Sequence, residues 1–239
     1  LGKWLPIERV TATLLFKDQQ LHVKDVSARV FGGRTMADTK VSLVPNDKRF
    51  SASVSFENTN FEELTRFYFG YKDSQGLLHA TYSFAGLMDD MSSLNGEGTM
   101  QVVDGDIFAI PYIGPISALL NEIIPGMGYS RASKASATFK TRNGVMHTDD
   151  FEVRSSSWTM IGGGWLDFPK DKMDFSVRVN ARGMPGILLF PVSKLFEYTS
   201  TGELSEPHWR PKRFTGPGSE EESPEAGSSS GAARSKPGE

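Results

Sequence analysis

Phe50-Ser51-Ala52-Ser53-Val54-Ser55-Phe56 alternates apolar and hydroxyl side chains, so a strand here turns four apolar groups to one side and three serines to the other. The same alternation recurs in Ala80, Tyr82 and Phe84 against Thr81 and Ser83, and in Phe175, Val177, Val179 and Ala181 against Ser176, Arg178 and Asn180. Asn143-Gly144, between Phe139 and Met146, has the composition of a two-residue hairpin, and Asp104-Gly105 is a second candidate. The reading is a mainly β chain of half-buried antiparallel strands.

Helical signals are few. Asn60 with Glu63 has capping-box spacing ahead of Leu64 and Phe67, which predicts a short helix over 60–69 stopped by Gly70. Two further candidates cover 113–124, closed by Pro125-Gly126, and 187–198, interrupted by Pro191. Three short helices cannot form a layer over the strands.

Residues 12–56 and 137–181 align without a gap at an offset of 125, with eight identities: Ala12/Ala137, Thr13/Thr138, His22/His147, Asp25/Asp150, Arg29/Arg154, Phe50/Phe175, Ser51/Ser176 and Val54/Val179. About three would be expected at ordinary composition. Two copies of one antiparallel unit, curved and flanking a central segment, are therefore expected.

The chain has 239 residues, of which 215–239 contain no aromatic residue and no Leu, Ile, Val or Met. That acidic Gly/Ser/Pro/Glu segment cannot offset its ordering entropy by burial and is expected to be a disordered tail on a domain of residues 1–214. Without the tail's five acids and two bases, 24 acidic and 24 basic residues remain. A neutral folded part argues against nucleic acid as a partner. The absence of cysteine excludes disulfides and thiolate metal sites. No stretch approaches the ~20 apolar residues of a membrane-spanning helix. The start, Leu1-Gly2-Lys3-Trp4-Leu5-Pro6, reads as an internal one, so a preceding part with an anchor is expected.

Nothing in the sequence marks a catalytic centre. His22, His79, His147 and His208 are far apart and in no metal-binding spacing, although His22 and His147 hold matching repeat positions. Asp89-Asp90 and Asp149-Asp150 could hold a hard cation, but each reads better as a turn in which Asp satisfies local backbone donors. Asp104-Gly105-Asp106 lacks the downstream spacing of a calcium loop. Gly162-Gly163-Gly164 lies inside strand-like sequence with no helix following, so a bulge or bend is expected there instead of a phosphate loop. No enzyme activity, cofactor or metal is expected.

Several phrases together resemble the C-terminal region of the AsmA-like bacterial envelope proteins (the AsmA, TamB and YhdP group). They are Leu21-His22-Val23-Lys24-Asp25-Val26 running into Val30-Phe31-Gly32-Gly33-Arg34; Leu94-Asn95-Gly96-Glu97-Gly98-Thr99-Met100 with Val103-Asp104-Gly105-Asp106-Ile107; Ala137-Thr138-Phe139 through Asn143-Gly144 to Phe151-Glu152-Val153 and Gly163-Gly164-Trp165-Leu166-Asp167-Phe168; and the closing Gly202-Glu203-Leu204-Ser205-Glu206-Pro207. They span about 12–214; the tail is outside the family pattern. The resemblance implies a curved β-groove, taco-like and open along one side, in the periplasm of a two-membrane bacterium. It also implies an inner-membrane anchor in the preceding segment, phospholipid as cargo, and a part in outer-membrane integrity. The family offers no catalytic residues to carry over.

The residues themselves are compatible with that. Faces lined by Phe50, Val54, Phe56, Tyr82, Phe84, Phe139, Phe151, Val153, Phe175, Val177 and Val179 must be covered, either by one another as a core or by a ligand. An acyl chain gains roughly 0.8 kcal/mol per methylene removed from water, so a 16-carbon chain needs on the order of 12 kcal/mol returned by an apolar surface. The competing reading is an assembly module that docks on outer-membrane or periplasmic proteins through an exposed sheet edge. A hydrolase of envelope polymers would require a polar cleft with convergent carboxylates.

Overall fold

The computed structural model describes residues 5–70, 75–105, 132–155, 158–181, 197–204 and 206–212. The expected helices over 113–124 and 187–196, and the tail, lie outside these residues. Glu197 and Tyr198, the end of the third expected helix, are strand residues, because they pair with Arg178 and Val177 and the ladder overrides the helical periodicity.

Twelve strands form one curved antiparallel sheet in chain order. They are β1 (Ile7–Lys17), β2 (Gln20–Val30), β3 (Gly33–Ser42), β4 (Arg49–Asn60), β5 (Leu77–Leu87), β6 (Asp90–Val103), β7 (Ala132–Arg142), β8 (Val145–Ser155), β9 (Trp158–Asp167), β10 (Lys172–Ala181), β11 (Glu197–Glu203) and β12 (Pro207–Pro211). The limits of β7, β8 and β9 each fall 125 residues after those of β1, β2 and β3. Between β4 and β5 sits α1 (Phe61–Phe69). Its N-cap is as expected: Asn60 Oδ1 accepts the Glu63 N–H at 3.1 Å, and Gly70 closes the helix in the left-handed region.

Turn chemistry follows the sequence at Asn143-Gly144, where both residues have positive φ (51° and 77°), as a two-residue hairpin of the right twist requires. Asp104-Gly105 is different. Asp104 directly follows β6, and the next described strand, which pairs with β6, begins at Ala132, so these residues do not make a two-residue hairpin. Asp149-Asp150 is also not a turn. It lies inside β8, where three steps from Thr148 to Phe151 oppose two steps of β9, a β-bulge. A bulge of the same sense lies in β2 between Val23 and Val26, with Asp25 at φ 51°.

Directly paired residues share a face, so the register assigns each paired side chain to one side of the sheet. One row runs Leu14, Val23, Thr39, Ala52, Phe84, Gly96, Thr141, Met146, Leu166, Met173, Gly202, Pro207. Followed over the whole ladder, this face holds no charged side chain among the paired residues. The opposite face carries the charges and most of the hydroxyls. Arg178, for example, pairs across strands with Glu197.

Candidate functional site

All eleven apolar residues singled out from the sequence fall on the uncharged face. The alternation that selected them is a period-2 signal, and the ladder keeps its phase through twelve strands despite the bulges.

Glycines shape this face. On β6, Gly98 stands between Tyr82 and Phe139, and Gly96 between Phe84 and Thr141. With no side chain between them, groups two strands apart meet. The Tyr82 and Phe139 rings are 5.4 Å apart, and the Tyr82 hydroxyl hydrogen-bonds the Thr141 hydroxyl at 2.9 Å. The arrangement repeats on β9, where Gly162 stands between Phe151 and Val177 and Gly164 between Thr148 and Phe175, and the Phe151 and Phe175 rings meet edge-on at 5.6 Å. Side chains leaning together on one side bend the sheet toward that side. Gly162 to Gly164 is strand throughout, regularly paired with β10 and directly opposite the bulge of β8. Sequence reasoning overlooked Gly96 and Gly98 as a pair; glycine at i and i+2 of an alternating strand was the available signal.

Burial divides the face in two. Phe151, Val153, Phe175, Val177 and Val179 belong to the buried cluster with Trp158, Met160 and Tyr198; Val153 is 0% and Val177 3% exposed. Phe50, Val54, Phe56, Tyr82, Phe84 and Phe139 are only half-buried. Phe31 packs against Phe67 and Tyr68 of α1 and, like Phe61, is buried, so α1 covers its own end of the sheet. Apart from the paired Tyr82 and Thr141 hydroxyls, the half-buried part over β4 to β7 offers almost nothing polar. It can hold hydrocarbon but cannot orient a polar substrate.

The charged face has shallow depressions. One of about 590 Å³ includes His22, Asp38, Lys40, Ser51 and Ser83; another of about 500 Å³ includes Asp149, Asp150, Glu152, Arg178 and Glu197. The carboxylates of the second are largely occupied. Arg154 donates to both oxygens of Glu152 at 2.8 Å, and Arg178 donates to Glu197. Asp150 accepts the Thr138 N–H and the Thr138 hydroxyl, both at 2.8 Å, filling the bulge of β8. His22 and His147 lie on the second and eighth strands, and His22 sits 3.7 Å from Asp38. Among the described residues no group of three or more His, Asp or Glu is placed to hold a metal, and no helix is long and apolar enough to cross a membrane.

Burial alone would raise the Asp150 pKa, but the Thr138 N–H, the Thr138 hydroxyl and the Thr148 hydroxyl outweigh it and hold the carboxyl below the usual range. Stability from a depressed carboxyl is present above its unfolded-state pKa and is lost as pH falls through the folded-state value. Asp150→Asn should therefore lower the denaturant midpoint at neutral pH, with the difference from wild type shrinking toward about pH 2. A difference that stays constant with pH would assign the effect to geometry instead of charge.

Comparison with protein-family models, with curated proteins and with solved structures gives no match.

Proposed function

We propose that this chain is a non-catalytic segment of a lipid-transfer bridge, its uncharged face a groove that holds phospholipid acyl chains between two membranes of a bacterial envelope. The observation carrying this reading is the absence of charge among the described, paired residues along one face of a twelve-stranded sheet, part of it only half-buried. A core needs apolar groups that touch each other; a conduit needs an uninterrupted path on which no headgroup or ion pair stops a sliding chain. The resemblance of several phrases to the AsmA-like proteins is what supports a periplasmic location and a membrane anchor in a preceding segment.

We also read the sheet as two copies of one unit in a taco-like curve. The 125-residue spacing of β1–β3 and β7–β9, the matching bulges of β2 and β8, and the common facing of Phe50 and Phe175 support this.

A docking module remains a second reading, favoured by β1. That edge strand has 11 exposed residues and, among the described residues, no strand paired along its outer side, whereas β12 has five residues with proline at both ends.

Photo-crosslinkers separate the two. Placed at Val54 or Phe84, they should capture phospholipid in cells. Placed at Ser53 or Ser83, one residue away and on the opposite face, they should not. Equal capture from both faces, or none, would put the docking module ahead.

A further inference from the structure

The turns β1–β2, β3–β4 and β5–β6 lie at the end of the sheet opposite α1. They are tied side by side into one lip. The Leu43 N–H donates to the Gln19 carbonyl at 2.7 Å, the Met88 N–H donates to the Lys48 carbonyl at 3.0 Å, and Lys48 pairs with Asp89. Six large apolar side chains stand exposed on this lip: Phe16, Leu43, Val44, Leu87, Met88 and Met91, with Phe16 at 70% and both methionines at 59%. The next turns along the same rim, at Asn143-Gly144 and Pro169–Asp171, show no exposed large apolar side chain.

Among the described residues, the apolar crests therefore occur where the face behind them is open, and stop where it is buried. The lip is continuous with that face through the row Phe16, Leu21, Val41, Phe50. Its cations each face a carboxylate: Lys48 pairs with Asp89, Arg49 with Asp47 through two hydrogen bonds at 2.9 and 2.7 Å, and Lys17 lies 4.0 Å from Asp18, while Asp90 is held by the Ser92 N–H and hydroxyl. Apolar groups on separate crests, with paired charges between them, suit a deformable hydrocarbon surface better than a shaped protein partner. We propose that this lip seats in the hydrocarbon–headgroup boundary of a lipid bilayer and that acyl chains cross it to reach the open part of the face. The inference rests on the lipid-groove reading.

The test floats the full chain with protein-free phosphatidylcholine vesicles. Wild type should associate, with little change between about 0.1 and about 0.5 M salt, because the lip's cations are each paired with a carboxylate and drive no contact with the headgroups. The triple variant Leu43→Ser, Met88→Ser, Met91→Ser alters only exposed positions and should keep its thermal transition, yet lose roughly a hundredfold in vesicle affinity. Ile161→Ser, an exposed apolar residue on the charged face, should float like wild type. A triple variant that floats normally overturns the lip, and so does a wild type that ignores protein-free vesicles. Crosslinking from Val54, read in the same samples, keeps the two ideas apart. A wild type that fails to float yet still captures lipid removes the lip and leaves the groove, whereas lip-dependent flotation without capture removes the groove and supports the lip.

Discussion

Val177→Asp should unfold the chain, while Val54→Asp should leave it folded and unable to hold lipid. The two valines occupy the same face and read alike in sequence, each alternating with hydroxyl or charged neighbours. Val177 is 3% exposed, between Gly162 and Tyr198, within the buried cluster. A carboxylate there has no partner on a face without charge, so the cost should be on the order of 4–5 kcal/mol, a large part of a domain's stability. Val54 is half-buried beside Ala37 and Tyr82, where water reaches and the expected cost is about 1 kcal/mol. Circular dichroism and a denaturant titration read the first effect, and lipid captured from a crosslinker at Phe84 reads the second. A folded Val177→Asp would show that this part of the sheet is not a sealed core. A folded Val54→Asp that captures lipid like wild type would remove the open part of the face from the path.

Gly98→Val should be nearly as damaging, for a steric reason. A Cβ at Gly98 would meet the Thr81 carbonyl oxygen at less than van der Waals distance and the Phe139 ring at 2.6 Å. The carbonyl belongs to the β5–β6 ladder and cannot swing aside, so β5 and β6 must separate or the Tyr82–Phe139 contact must open. Overpacking of this kind typically costs about 1–3 kcal/mol, occasionally more. A value at or above the top of that range is expected here, because backbone is involved. The denaturant midpoint should fall, and the Tyr82 hydroxyl should lose Thr141. An unchanged midpoint would mean that the β6 glycines are not required for the bend.

Much of this was legible in residues 50–56, 80–84 and 175–181, because side-chain direction along a strand is fixed by period alone. The α1 cap was legible for a similar reason: Asn60, Glu63 and Gly70 act within one turn of chain. The division between Val177 and Val54 was not, since burial depends on what lies across several strands, and alternation gives a face without saying whether anything covers it. Asp149-Asp150 misled because an acidic pair satisfies a bulge by the same chemistry that satisfies a turn. Nor could the lip be read: Leu43, Val44, Leu87, Met88 and Met91 are scattered in sequence and become one surface only when neighbouring turns are hydrogen-bonded together.

The strictly sequential pairing also bears on how the chain reaches this state. Each strand's partner is the one made just before it, and several are joined by two-residue turns, so closing those hairpins costs little loop entropy. Such a sheet can grow from a moving front while later residues are still being delivered. An arrival in which the C-terminal strands come last leaves no earlier strand waiting for a distant mate, as it would in a Greek-key or parallel arrangement. A polypeptide threaded through a membrane from its N-terminus could thus zip up hairpin by hairpin, with only the most recent edge briefly bare.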